Sequence, residues 1–157
     1  MKRFQRLSFV LLSVLSGLIV SGCGNGGRPA DLPKTTPCAL TIQYEDGAPI
    51  SDAIVMLYPI EGKWYSNGKT NSSGQVKVAV NGSFSGAVPG EYKVTVKKQD
   101  VQFPPGYDPD SENPKQTEAT ITDYVSKEFV SPATTPLKLT VGNSKISETF
   151  QVKKTKK

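Results

Sequence analysis

None of the 157 residues is a histidine. That removes the side chain on which most general-base chemistry at neutral pH depends. Ser-His-Asp and Cys-His nucleophile activation and imidazole ligation of a metal are excluded with it. Two cysteines remain, Cys23 and Cys38. The acid–base candidates are carboxylates: Asp46, Asp52, Asp100, Asp108, Asp110, Glu112 and Asp123. Asp108, Asp110 and Glu112 alternate along the chain as ligands do in some calcium loops. Pro109 interrupts them, however, and the glycine and distal glutamate of an EF-hand are missing, so the segment reads as a solvated acidic loop. No cofactor and no metal site is expected, and no carboxylate pair stands out that would make the chain a hydrolase. Trp64, Tyr65, Phe103 and Tyr107 lie in or beside loops and are the candidate binding residues. Exposed ring faces of this kind stack on sugars, but Trp64 and Phe84 read first as caps on the two open ends of a β-sandwich. The Phe103–Tyr107 loop can also offer a protein partner an apolar patch.

Cys23 has a specific context. Lys2, Arg3 and Arg6 precede an apolar run, Leu7 to Val20, broken only by small residues and ending in Val20-Ser21-Gly22-Cys23. A positive segment followed by a short apolar one reads as a signal peptide rather than a membrane span. The four closing residues resemble the bacterial lipobox: an aliphatic residue, two small residues and cysteine. The resemblance covers residues 1–23. It implies a diacylglycerol on the Cys23 sulfur, cleavage after Gly22 and a further acyl chain, such as palmitate, on the new amino terminus. Several acyl chains at one residue anchor lastingly where one alone is marginal. Gly24 is not the aspartate that marks inner-membrane retention in many diderm bacteria, so the outer membrane is favoured where there is one.

That processing changes the charge argument. The formal net charge is +5 with 19 basic and 14 acidic residues. Loss of Lys2, Arg3 and Arg6 takes 19 to 16 and the net charge to +2, and Lys153, Lys154, Lys156 and Lys157 are in the tail. A near-neutral body has no electrostatic footprint for nucleic acid. With Cys23 acylated, Cys38 has no intramolecular partner and reads as a small buried hydrophobe at the head of a strand.

Residues 23–37 hold three glycines and three prolines without apolar periodicity and read as a disordered, flexible tether. Residues 38–152 alternate in short runs. Cys38, Leu40, Ile42 and Tyr44 share one face, as do Ala53, Val55 and Leu57, then Val76, Val78 and Val80, then Tyr92, Val94 and Val96. Ile54, Met56 and Tyr58 suggest that the second strand is covered on both sides. Turn residues separate the runs, among them Asp46-Gly47, Ser73-Gly74 and Pro89-Gly90. Residues 100–120 are rich in proline and read as a long loop. Residues 121–130 suit a short helix or an extended edge. Leu137, Leu139 and Val141 form a further strand, and Ile146 to Val152 closes the sheet with Phe150 and Val152 inward. Residues 153–157 read as a solvated basic tail. Six or seven short strands and no crossover helix predict an all-β, immunoglobulin-like sandwich.

Three stretches then resemble carboxypeptidase regulatory-like, transthyretin-like domains: Asp46-Gly-Ala-Pro-Ile-Ser-Asp-Ala-Ile-Val55, Thr70-Asn-Ser-Ser-Gly-Gln-Val76 and Gly86-Ala-Val-Pro-Gly-Glu-Tyr-Lys-Val-Thr-Val96. Lys127 to Leu137 is similar to an element of small planctomycete-type lipoproteins, with Phe129 where tyrosine is usual. The resemblance spans about residues 40–152 and implies a seven-stranded prealbumin-like sandwich without catalytic residues. The expected role is that of a non-catalytic, membrane-anchored envelope lipoprotein, structural or protein-binding. The alternatives are a carbohydrate-binding module and, less expected, a hydrolase. The partners implied are membrane lipid through Cys23 and envelope proteins or glycans.

Overall fold

The computed structural model describes residues 27–106 and 119–155. Cys23, Tyr107 and the Asp108–Asp110–Glu112 group lie outside them. The described chain is all-β apart from one short 3-10 turn, Lys127–Phe129. Its strands are β1 (Cys38–Tyr44), β2 (Ile54–Pro59), β3 (Ser66–Lys69), β4 (Gln75–Lys77), β5 (Ala79–Val80), β6 (Phe84–Ser85), β7 (Gly90–Lys97), β8 (Gln99–Gln102), β9 (Thr120–Asp123), β10 (Lys138–Val141) and β11 (Ile146–Val152). A three-stranded sheet runs β11-β1-β4, a six-stranded sheet β10-β7-β2-β3-β5-β6, and β8 pairs with β9 alone.

The two larger sheets share one core. Leu40, Ile42, Phe150 and Val152 come from the first; Val55, Leu57, Tyr92, Val94, Val96 and Leu139 come from the second. Each was expected inward from period-two alternation. Fully burying such a side chain stabilises by roughly 1.5–3 kcal/mol. Tyr92 adds a polar handle, since its hydroxyl donates to the Val88 carbonyl at 2.6 Å. This fastens β7 to the turn that feeds it, in the manner of a tyrosine corner.

The motif residues act on the fold in the same way. Thr70 Oγ1 accepts the Ala53 amide at 2.8 Å, which ties the second motif to the first. Asn71 Oδ1 accepts the Ser73 and Gln75 amides and shapes the turn before β4. Thr135 Oγ1, buried, donates to the Val94 carbonyl at 2.6 Å and clamps the middle of β7.

Several expectations need correction. The described residues form eleven strand segments, some of them fragments of longer runs. One cause is that the chain changes sheets between β4 and β5. At that corner β4 crosses so close to β3 that a Cβ on Gly68 would lie 2.5 Å from the Val76 side chain. β11 runs parallel to β1, with Ile42 opposite Phe150, so Gly142-Asn143 carries the chain across to the other sheet. Residues 100–120 are not loop throughout, because Gln99 to Gln102 pairs with Thr120 to Asp123. The outer face of β2 is only partly covered: Met56 and Tyr58 are half-buried there and Ile54 is exposed.

Both ends of the domain are also misjudged by composition. Much of the expected tether is strapped down. Thr36 and Ala87 exchange backbone hydrogen bonds of 2.7 and 2.9 Å, and Thr36 Oγ1 donates to the Gly142 carbonyl at 2.6 Å. Leu32 and Thr36 are buried, and Asp31 pairs with Lys63. At the other end Lys154 bridges to Val125 and pairs with Asp46 at 2.6 Å, so the described part of the tail is docked.

Candidate functional site

Register places the candidate aromatics. In the six-stranded sheet, Ile54 lies level with Lys69 and Lys97, and Leu57 lies level with Ser66 and Val94. Trp64 and Tyr65 precede β3 and therefore sit at the Pro59–Tyr92 end. Phe103 follows β8, which continues beyond Lys97, so it belongs to the opposite end. The length of the sheet separates the two groups, and no platform contains both. Tyr107, the fourth candidate, is outside the described residues.

At the first end, the β2–β3 connection (60–65) carries Ile60 and Tyr65, both exposed, and a half-buried Trp64. The Lys63 ammonium lies 4.9 Å from the Trp64 ring centroid, within cation–π range. Lys63 also holds Asp31, and Arg28 stands 5.9 Å over the Phe84 ring. The strap and this loop therefore form one surface. Trp64 and Phe84, the two expected end caps, are both half-buried.

At the opposite end, β8 and β9 form a ribbon. Val101 faces Ile121 across it, and both are exposed, as is Phe103 just beyond the end of β8. The root of the ribbon is polar. The Tyr124 hydroxyl donates to Asp100, and the Gln99 side-chain amide donates to Asp123. Hydrogen bonding to the Asp100 carboxylate, followed by desolvation, raises the Tyr124 phenol above its ordinary value. Lys154 lies 4.9 Å over the Tyr44 ring, and its hydrogen bond to Asp46 lowers that carboxyl and raises the ammonium. Beside this root opens a shallow cleft of about 710 Å³ lined by Glu45, Ser126, Glu128, Lys153 and Lys154 among others.

Among the described residues, each carboxylate considered for acid–base work has its own polar partner. Asp46 is held by Lys154, Asp52 by Lys69 at 2.8 Å, Asp100 by Tyr124 and Asp123 by Gln99. Among the described residues, no three acidic, cysteine or histidine side chains are grouped so that they could hold a metal ion. Cys38 is buried, and desolvation, then the Glu148 charge, push its thiol from 9.0 up to about 11. A thiol so placed is a poor nucleophile.

Sequence reading missed two surfaces, the strap and the ribbon. The strap had one signal, the lone Leu32 in a Pro/Gly-rich run. The ribbon had Val101 and Ile121, whose neighbours gave no alternation to mark a strand. Among the described residues no helix is long and apolar enough to cross a membrane. No family model, curated protein or solved structure matches this chain.

Proposed function

We propose that this chain is a lipid-anchored protein of the bacterial envelope whose domain works without catalysis, by contact with another envelope protein. The anchor is Cys23, through the lipobox-like Val20-Ser21-Gly22-Cys23. The outer membrane is its location where the cell has one, since Gly24 follows the cysteine. The domain is a carboxypeptidase regulatory-like, prealbumin-type sandwich. Counting β4 and β5 as one bent strand and setting aside β6 and the ribbon leaves seven principal strands: β1, β2, β3, β4–β5, β7, β10 and β11.

The observation that carries the contact role is the ribbon. An exposed Val101–Ile121 pair on a two-stranded projection costs solubility and adds nothing to the core, which is the signature of a surface awaiting a partner. The carbohydrate reading is disfavoured by the separation of Trp64 and Tyr65 from Phe103.

Two experiments test the proposal. Metabolic labelling with a lipid precursor should mark the wild type and not Cys23→Ala. A photocrosslinking residue at Val101 should capture one discrete partner in intact cells, and Ile121→Asp should abolish that product. Equal capture from a probe at Lys77, on the other sheet, would sink the assignment to the ribbon.

A further inference from the structure

We infer that the β2–β3 connection, with Trp64 at its centre, is the face that rests on the bilayer carrying the anchor. The inference depends on lipidation of Cys23 as proposed above, and follows from where the described chain begins. Arg28 is already on the domain, over the Phe84 ring, and Asp31 is paired to Lys63. Only five peptide steps separate Arg28 from Cys23. Fully extended, they span at most about 18 Å. β7 alone, at eight residues, is about 26 Å long. Whatever conformation residues 24–27 take, the leash is shorter than the sandwich. The surface nearest Arg28 must stay nearest the membrane.

That surface has an interfacial composition. Within residues 60–65 it presents Ile60 at 51% exposure, Lys63, a half-buried Trp64 and Tyr65 at 43% exposure. Tryptophan and tyrosine favour the headgroup layer, where an apolar ring body and a polar edge are both satisfied. Lysine reaches past them with its apolar stem buried. Charge is not the driving force, since Asp31 and Glu61 balance Arg28 and Lys63 locally. The contact is therefore insensitive to salt. The same orientation directs the ribbon, at the far end of the sandwich, away from the bilayer.

Trp64 is the only tryptophan in the chain, so its emission reports this face alone. The full chain is expressed, purified from membranes and reconstituted in phosphatidylethanolamine–phosphatidylglycerol vesicles with brominated acyl chains. Lipid labelling of the same preparation is read in parallel. The expected result is a labelled protein whose Trp64 emission is quenched and blue-shifted, equally in low and high salt. Insertion of ten Gly/Ser residues between Asn25 and Gly26 relieves the quenching without loss of label. In a Trp64→Phe background, Ile121→Trp is not quenched. A labelled protein with unquenched Trp64, or with both reporters quenched alike, overturns the orientation and leaves the anchor standing. Absence of label that depends on Cys23 overturns the anchor, and the orientation falls with it.

Discussion

Substituting alanine for Gly86 tests whether the strap is part of the fold. Gly86 has φ +95°, and a Cβ built there lies 2.2 Å from the Thr36 carbonyl oxygen. Two penalties combine. A left-handed backbone costs an L-residue about 1–2 kcal/mol. The clash also pushes the strap outward, and the two hydrogen bonds joining Thr36 to Ala87 are worth about 1 kcal/mol each. Against these, alanine restricts the unfolded chain and recovers about 0.4–1 kcal/mol. The net expected loss is about 2–3 kcal/mol. With a urea m-value of about 1.5 kcal/mol/M, that lowers the midpoint by roughly 1.5–2 M. Gly47→Ala is the control: φ is +83°, but nothing lies within 4 Å of the new Cβ, so only the backbone term applies and about 1 kcal/mol or less is lost. Hydrogen exchange at the Thr36 and Ala87 amides supplies the local readout. Equal midpoints for the two variants, with Thr36 still protected in Gly86→Ala, would refute the strap.

Ser66 is fully buried and its hydroxyl has no hydrogen-bond partner among the described residues, so Ser66→Ala should stabilise by about 1 kcal/mol in chemical denaturation. Tyr92→Phe removes the 2.6 Å bond to the Val88 carbonyl and should cost about 1–2 kcal/mol while leaving the far-UV circular dichroism spectrum unchanged. Cys38 has a folded thiol pKa raised from 9.0 to about 11, so folding favours its protonated form. Its contribution is fully present below pH 9 and is lost as pH rises through 11, a fall of about 2–3 kcal/mol. Unfolding curves from pH 8 to 11.5 should show that slope, and Cys38→Ala should reduce it, leaving the part owed to Tyr44, Tyr92 and Tyr124, whose phenols are also raised.

Sequence reading recovered much of the core because the relevant information is local. Tyr92, Val94 and Val96 alternate with Glu91, Lys93 and Lys97, and that pattern names a buried face without reference to any partner strand. Thr95 shows the limit. It was expected on the wet face, yet it is 4% exposed, opposite Met56 on β2. Its burial depends on a neighbour that its own strand does not reveal. The parallel pairing of β11 with β1 was hidden for the same reason, since alternation carries no partner identity. The candidate site was less legible still. Trp64, Tyr65 and Phe103 were correctly picked out as loop aromatics, but loop chemistry does not say which end of a sandwich a loop occupies.

Local chemistry determined what this protein lacks and where its lipobox-like stretch lies: no histidine, and Cys23 five residues before Arg28. Those statements hold for any conformation of the chain. Only the tertiary structure decided that residues 28–37 of the Pro/Gly-rich segment are a strap and not a free tether. The reason is physical. Thr36 is held by Ala87 and by Gly142, 106 residues away, through bonds that leave no periodic trace in the segment itself. Those distant partners fix residues 28–37 against the domain, which composition alone could not reveal.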